Sequence, residues 1–243
     1  EAAKIESRAK GMEMPVFDAF WASNRPLSFP IPPTSKEFVR HADFRADPLL
    51  NALGTASGKF ELYSRTIEKY GYDDCPPHAT WLEPIERVGG PDTKYPLHIV
   101  SNHPQMRLHS QLCGTVNRRT YEVAGREPCW MNPKDAAARG LKDGEVVRVF
   151  NQRGQILAGL KITDEIMPGA IRINEGGWYD PVNPRQDGTL CAWGDVNVLT
   201  TGVATSKLGQ GNCGQTGVAE VERFRGSLPP VTVFEQPEAH RKG

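Results

Sequence analysis

Glu145-Val-Val-Arg-Val-Phe-Asn-Gln-Arg-Gly-Gln-Ile-Leu-Ala-Gly-Leu-Lys-Ile-Thr163 decides the fold class. Glu145–Phe150 is rich in β-branched residues and reads as a strand. Asn151-Gln-Arg-Gly154 has turn chemistry, and Gln155–Thr163 reads as the returning strand of a hairpin. Working outward, Pro96-Leu-His-Ile-Val100 predicts a strand, and Pro168-Gly169 turns into another at Ala170-Ile-Arg-Ile173. Further strands are expected at Asn197–Leu199 and at Gly217–Phe224. Asn132-Pro133, Asp135–Arg139 and Gly140 form a compact helix signature: Asn caps, Pro opens the first turn, Gly terminates. Six short strands with one or two helices predict a mainly β chain with some α structure, closed into a barrel.

The composition fits. Gly 24 and Pro 20 in 243 residues make a turn-rich chain, better suited to β or mixed architecture than to a helix bundle. Lys+Arg 29 against Asp+Glu 29 gives a formal net charge of zero. A nucleic-acid coat or a polybasic membrane binder needs a net positive field, so neither is expected. No apolar run reaches the roughly 18–20 residues of a membrane helix. Cys75, Cys113, Cys129, Cys191 and Cys213 contain no CxxC pair, which argues against a zinc or iron–sulfur site. The first residues are Glu1-Ala2-Ala3 without an initiator Met, and the chain is expected to be part of something longer.

Residues 1–94 read as a peripheral, partly irregular segment. Phe17, Phe20 and Trp21 have helical spacing. Four prolines between Pro26 and Pro33 forbid a long helix, and that stretch is expected to drape over a larger body. Strands are expected at Glu37–His41 and Lys59–Tyr63, and Ser64 is expected to cap a short helix ending at Gly71. Residues 72–95 read as a connector. Residues 225–243 read as a polar, Pro-rich tail.

The densest chemistry lies in Ser101-Asn-His-Pro-Gln-Met-Arg-Leu-His-Ser-Gln111, directly after a strand. It offers imidazoles, a guanidinium, hydroxyls and amides, and no carboxylate interrupts it. Forked arginine donors suit phosphate, and amides pair in plane with a pterin or purine edge. His103 and His109 lie six apart, so HxxxH metal logic does not apply. Two further stretches stand out: Asp195-Val-Asn-Val-Leu-Thr200, and the glycine-rich run from Thr205 to Thr216. The latter fits neither GxGxxG nor a P-loop. A solvated loop and a flexible connector remain the plain alternatives for these stretches. A Ser110–His103–Asp195 triad has no nucleophile elbow to support it.

Together, Tyr95–Pro104, Arg107–Leu112, Asn132–Ala136, Asp143–Asn151, Arg153–Gln155, Gly177-Trp-Tyr-Asp-Pro181, Asn197–Thr200, Gln210–Thr216 and the upstream Ser57–Ser64 carry a family resemblance. In order and spacing they resemble the C-terminal part of a dimethyl sulfoxide reductase-family molybdenum enzyme, most like the trimethylamine-N-oxide reductase branch, over roughly residues 36–226. The resemblance implies a double-psi β-barrel over residues 95–226. Residues 1–94 would then be a remnant of preceding domains plus a connector, with a tail at 227–243. It implies bis-molybdopterin guanine dinucleotide with molybdenum as cofactor. By motif, His103, Arg107, His109, Ser110 and Gln111 would contact a pterin or its phosphates. Asn197 would bond a pterin edge, and Gly214 and Gln215 would sit beside a dinucleotide. No catalytic residue and no metal ligand is expected in this segment, which would not turn over alone. Implied partners are the remainder of the catalytic subunit, a small N-oxide or S-oxide substrate and a cytochrome c-type electron donor. The implied location is periplasmic, or cytoplasmic for the biotin or methionine sulfoxide reductase alternative. The alternative from another class is a non-redox double-psi barrel acting as a binding module.

Overall fold

The computed structural model of the chain describes residues 2–9, 11–28, 33–90 and 94–236. The chain divides into two compact units, Glu1–Leu62 and Tyr63–Gly243.

The first unit holds three short helices, α1 (Ala2–Ala9), α2 (Phe17–Ser23) and α3 (Ala42–Ala46). The helical spacing of Phe17, Phe20 and Trp21 is realised in α2, where Phe17 and Trp21 stack at 5.8 Å. Residues 29–32, the middle of the Pro26–Pro33 stretch, lie outside the described residues. The strand expected at Glu37–His41 does not form. Glu37 ends a 3-10 turn, and His41 takes a left-handed φ of 58°, which no strand accommodates. The strand expected at Lys59–Tyr63 does not form either, and the backbone of Lys59, its first residue, is bonded locally. Thr55 Oγ1 donates to the Lys59 carbonyl at 2.6 Å, and the Lys59 N–H donates to Ser57 Oγ at 3.3 Å. Such side-chain bonds compete with ladder formation.

The second unit begins with α4 (Arg65–Glu68), capped as expected by Ser64, whose hydroxyl accepts from the Ile67 N–H at 3.3 Å. The strands are β1 (Leu97–Val100), β2 (Pro128–Met131), β3 (Val146–Phe150), β4 (Gln155–Ile162), β5 (Ala170–Ile173), β6 (Leu190–Cys191) and β7 (Val218–Arg223). Helix α5 (Pro133–Ala138) follows β2 with Asn132 as its cap and Pro133 in its first turn. Along the sheet the order is β2-β5-β1-β7-β3-β4-β6, and a β2–β4 pairing closes six strands into a barrel. Superposing β1, β2 and β3 on β4, β5 and β7 in thought exchanges every pairing among the six barrel strands with an equivalent one. Parallel β1–β5 maps onto parallel β4–β2, and antiparallel β1–β7 onto antiparallel β4–β3. Two interlocked triplets with parallel crossovers are the double-psi topology.

Alternate residues on each strand fill the interior, as a period of two requires. Leu97 and Ile99, Cys129 and Met131, Val147 and Val149, Ile156, Ala158 and Leu160, Ile171 and Ile173, and Ala219 and Val221 are all buried. Each larger aliphatic among them contributes about 1.5–3 kcal/mol by leaving water.

Within the barrel, two further strand assignments differ from the sequence expectation. Asn197–Leu199 belongs to a 3-10 turn, because Asp195 Oδ1 accepts from the Asn197 N–H at 3.0 Å and Asn151 Nδ2 donates to the Leu199 carbonyl at 2.7 Å. The sixth barrel strand is β2 instead. Its Pro-Cys-Trp-Met run shows no alternation, and Pro is tolerated at its first position.

Candidate functional site

The strand directions collect the chemistry at one end of the barrel. β1 is parallel to β5 and antiparallel to β7, and β2 is antiparallel to β5. The β1–β2, β3–β4 and β5–β6 connections and the approach to β7 therefore share one rim. The α5 connection and the β4–β5 turn lie at the other. All eight candidate residues fall in rim segments: His103, Arg107, His109, Ser110, Gln111, Asn197, Gly214 and Gln215.

At the centre of the rim, His103 and His109 converge on Glu175. His103 Nδ1 lies 2.8 Å from Glu175 Oε1 and His109 Nδ1 3.0 Å from Oε2. The two rings stand edge to face, 5.0 Å apart. The imidazoles are exposed (69% and 60%), and the carboxylate lies beneath them at 26%. Partial burial alone would raise the Glu175 carboxyl. The His109 and His103 hydrogen bonds and their charge hold it below its ordinary value instead. Among the described residues, this trio brings His and carboxylate donor atoms within 4.8 Å of one another and could hold a metal ion. The trio needs a glycine beside it. Gly176 has φ +77°, and a Cβ there would sit 2.1 Å from the His109 carbonyl oxygen.

Arg107 lies below this surface rather than on it. Its side chain, like that of Glu127, has no exposure, and its NH1 donates to Glu127 Oε2 at 3.0 Å. NH1 also donates to the Tyr121 hydroxyl at 2.8 Å, and NH2 to Glu127 Oε1 at 3.3 Å. NH2 further donates to the Glu175 carbonyl at 2.6 Å and Nε to the His109 carbonyl at 3.2 Å. Arg107, expected to contact a pterin or its phosphates, has all five guanidinium donors engaged within the protein. The guanidinium instead ties together the backbone of the two loops that carry the imidazole trio. Burial alone would lower the Arg107 pKa, but the Glu127 charge and hydrogen bonds raise it. Burial pushes the Tyr121 phenol up to about 12, so it remains a neutral hydroxyl. Asn174 Nδ2 completes the Glu127 shell at 2.8 Å.

The other candidates divide. Ser110 and Gln111 are exposed, and the Ser110 carbonyl accepts from Trp178 Nε1 at 2.9 Å. Asn197 is exposed in its 3-10 turn, and its carboxamide has no bond among the described residues. Gln215 spends its amide on the end of β1, accepting from the Ser101 N–H at 3.1 Å and donating to the Ser101 carbonyl. The Gly214 N–H donates to Asn212 Oδ1. Contacts link these pieces into one surface: a Cβ on Gly177 would meet the Gly194 carbonyl at 3.1 Å, and one on Gly217 would meet the Leu199 carbonyl at 3.8 Å. Asn102 Oδ1 is buried by the rim without a partner. Exposed imidazoles, a free carboxamide and an orphaned acceptor fit a ligand that offers both oxyanions and N–H edges.

Sequence reasoning missed Glu127, Glu175 and Tyr121. The tandem Gly176-Gly177 directly after Glu175 is the one local sign that this backbone closes on a neighbour.

Residues 97–216 match the family model described as Molydopterin dinucleotide binding domain. The barrel belongs to that family. Along nearly its whole length the chain is also related to reductases. It is 59% identical over 238 residues to the dimethyl sulfoxide/trimethylamine N-oxide reductase of Cereibacter sphaeroides, covering 98% of the chain and 29% of the relative. It is 49% identical to the trimethylamine-N-oxide reductase of Haemophilus influenzae, again covering 98% of the chain and 29% of the relative. The chain thus spans less than a third of the length of these relatives. Among solved structures, acetylene hydratase from Pelobacter acetylenicus superposes with a TM-score of 0.57 at 23% identity, covering 71% of this chain and 24% of that one. That likeness concerns the fold alone.

Proposed function

We propose that this chain is the cofactor-binding portion of a molybdenum oxotransferase that reduces trimethylamine N-oxide or a related N- or S-oxide, and that its rim holds bis-molybdopterin guanine dinucleotide. The observation that carries the reading is the single rim, inside the matched family region, on which exposed imidazoles and the free Asn197 carboxamide stand over a rigid buried ion pair. The bound cofactor supplies the redox chemistry, a two-electron reduction that removes one oxygen atom from the substrate. The chain's own residues bind and orient. His103 and His109 face the phosphates or pterin edge, Ser110 and Gln111 extend the same loop, and Asn197 offers an in-plane donor and acceptor pair. Gly214 and Gln215 shape the backbone beside the dinucleotide. Arg107 acts from beneath, by holding both loops in place. Catalysis requires the rest of the subunit, and a periplasmic setting with a cytochrome c-type donor belongs to the same reading.

Molybdenum content of the full-length enzyme tests this. Asn197→Ala and the paired His103→Ala/His109→Ala variant are expected to lower molybdenum per protein several-fold while the protein still folds. Unchanged content in both would favour a non-redox binding module. Assay of the 243-residue chain alone with reduced viologen and trimethylamine N-oxide is expected to show no turnover, and robust turnover would overturn the claim that it is incomplete.

A further inference from the structure

We infer that Glu175 is a positioning residue that fixes the tautomer of both rim histidines, so that His103 and His109 each present Nε2, never Nδ1, to the rim's occupant. The inference deepens the cofactor reading and relies on it only for what that occupant is.

An ionised carboxylate only accepts hydrogen bonds. With His103 Nδ1 at 2.8 Å and His109 Nδ1 at 3.0 Å from its two oxygens, both Nδ1 atoms must carry hydrogen. The ring nitrogen left over is then the same atom in either charge state. In the neutral ring Nε2 is an acceptor, and in the imidazolium it is a donor to an oxyanion. The acceptor is itself locked from both sides. The Glu175 N–H donates to the Asn102 carbonyl at 3.1 Å, and the Glu175 carbonyl accepts from Arg107 NH2 at 2.6 Å. The rings are more than half exposed while the carboxylate is mostly covered, so the shared acceptor points up into the rings and Nε2 points outward. One carboxylate serving two imidazoles from a loop 66 and 72 residues away is an arrangement that a solvated loop has no reason to keep. Outer carboxylates of this kind fix ring orientation and tautomer at other ligand sites.

Histidine-selective 15N labelling of the full-length enzyme, read by magic-angle-spinning NMR, tests the tautomers directly. His103→Asn and His109→Asn difference spectra assign the signals. The expected wild-type result is protonated Nδ1 on both rings. In Glu175→Gln the amide oxygen can still accept from one Nδ1–H, but its NH2 can only donate, so one ring should switch to Nε2–H. Glu175→Asp keeps an acceptor-only group and should keep both Nδ1–H tautomers. Molybdenum retention is expected to fall roughly 10-fold in Glu175→Gln, the size of one lost charge-assisted bond, and to recover at least in part in Glu175→Asp. An Nε2–H tautomer on either ring of the wild-type protein overturns the inference, as does a Glu175→Gln spectrum identical to wild type. The wild-type spectrum decides even where the variants fail to fold. Correct tautomers together with full molybdenum in His103→Ala/His109→Ala would uphold the role of Glu175 and overturn the identity of the occupant.

Discussion

Removing the Arg107 side chain separates a residue that touches the ligand from one that holds the rim together. In Arg107→Ala, Glu127 loses both guanidinium bonds and keeps only Asn174, while its side chain remains at 0% exposure. Stripping one partner from a buried pair costs about 3–5 kcal/mol, because an uncompensated charge stays behind. The His109 and Glu175 carbonyls also lose a donor, at about 1 kcal/mol each if water does not replace it. A loss of about 4 kcal/mol corresponds to roughly 8–16 °C in melting temperature for a unit of this size. Thermal or urea unfolding of the chain, followed by tryptophan fluorescence, measures it. Arg107→Met/Glu127→Leu, which removes both charges together, should regain most of the loss, so a double-variant cycle should show coupling of at least about 2 kcal/mol. The pH dependence has a definite sign. Burial holds the Glu127 carboxyl above its ordinary value, and Arg107 is the strongest pull against that shift. Without Arg107 the folded state favours protonated Glu127 still more. The penalty should be largest at neutral pH and shrink as pH falls into the carboxyl range. A loss under about 1 kcal/mol, or a double variant no better than the sum of its singles, would refute the idea that this pair organises the rim.

Further outcomes follow from other contacts. Arg153 grips Glu86 through two bonds of 2.6 Å, and these hydrogen bonds hold the Glu86 carboxyl below its ordinary value. The stabilisation is therefore present above the ordinary carboxyl pKa and lost as pH falls below it. Hydrogen exchange around residues 83–88 should accelerate below about pH 4 in wild type, and already at pH 7 in Glu86→Gln. Burial pushes the Cys129 thiol up to about 12, so alkylation at pH 8 should label Cys75 and Cys213 and spare Cys129 in the native protein; mass spectrometry decides. Phe234 sits 5.0 Å from Trp193, 5.5 Å from Trp178 and 4.1 Å from the Arg118 guanidinium carbon. Phe234→Ala should cost about 2 kcal/mol and expose residues 229–236 to limited proteolysis. Gly176→Ala should lower both stability and molybdenum content, because its Cβ would collide with the His109 carbonyl; a variant indistinguishable from wild type in both would show that the two loops do not close there.

The barrel was largely legible because its signals are local. The Glu145–Thr163 hairpin, the Asn132 cap and the final strand each carry their evidence within ten or twenty residues, and β3, β4, α5 and β7 appear where they should. What failed lacked such a signal. β2 is four apolar residues with no period to read. Asn197–Leu199 looks like a strand until Asp195 and Asn151, one two residues and one 48 residues from the groups they bond, satisfy its backbone as a turn. Lys59–Tyr63 alternates as a strand should, but among the described residues no strand pairs with it, and Thr55 and Ser57 take the backbone bonds of Lys59.

The site was legible in its residue types and misleading in its electrostatics. Read along the chain, Ser101–Gln111 is a basic loop free of carboxylates, which suggests that all its cations are available to an anion. Folding brings two carboxylates to it. Glu127 arrives at β2 and absorbs Arg107, and Glu175 arrives at the end of β5 and takes both imidazoles. Farther along the loop, Arg118 pairs with Glu122 at 3.1 Å. On the proposed reading, the rim therefore meets anions less through fixed guanidinium charge than through imidazoles whose outward nitrogen can accept or donate. Such a surface can follow a ligand that mixes phosphate oxygens with ring N–H groups. It does so without the strong, uniform positive field that a zero net charge already disfavoured.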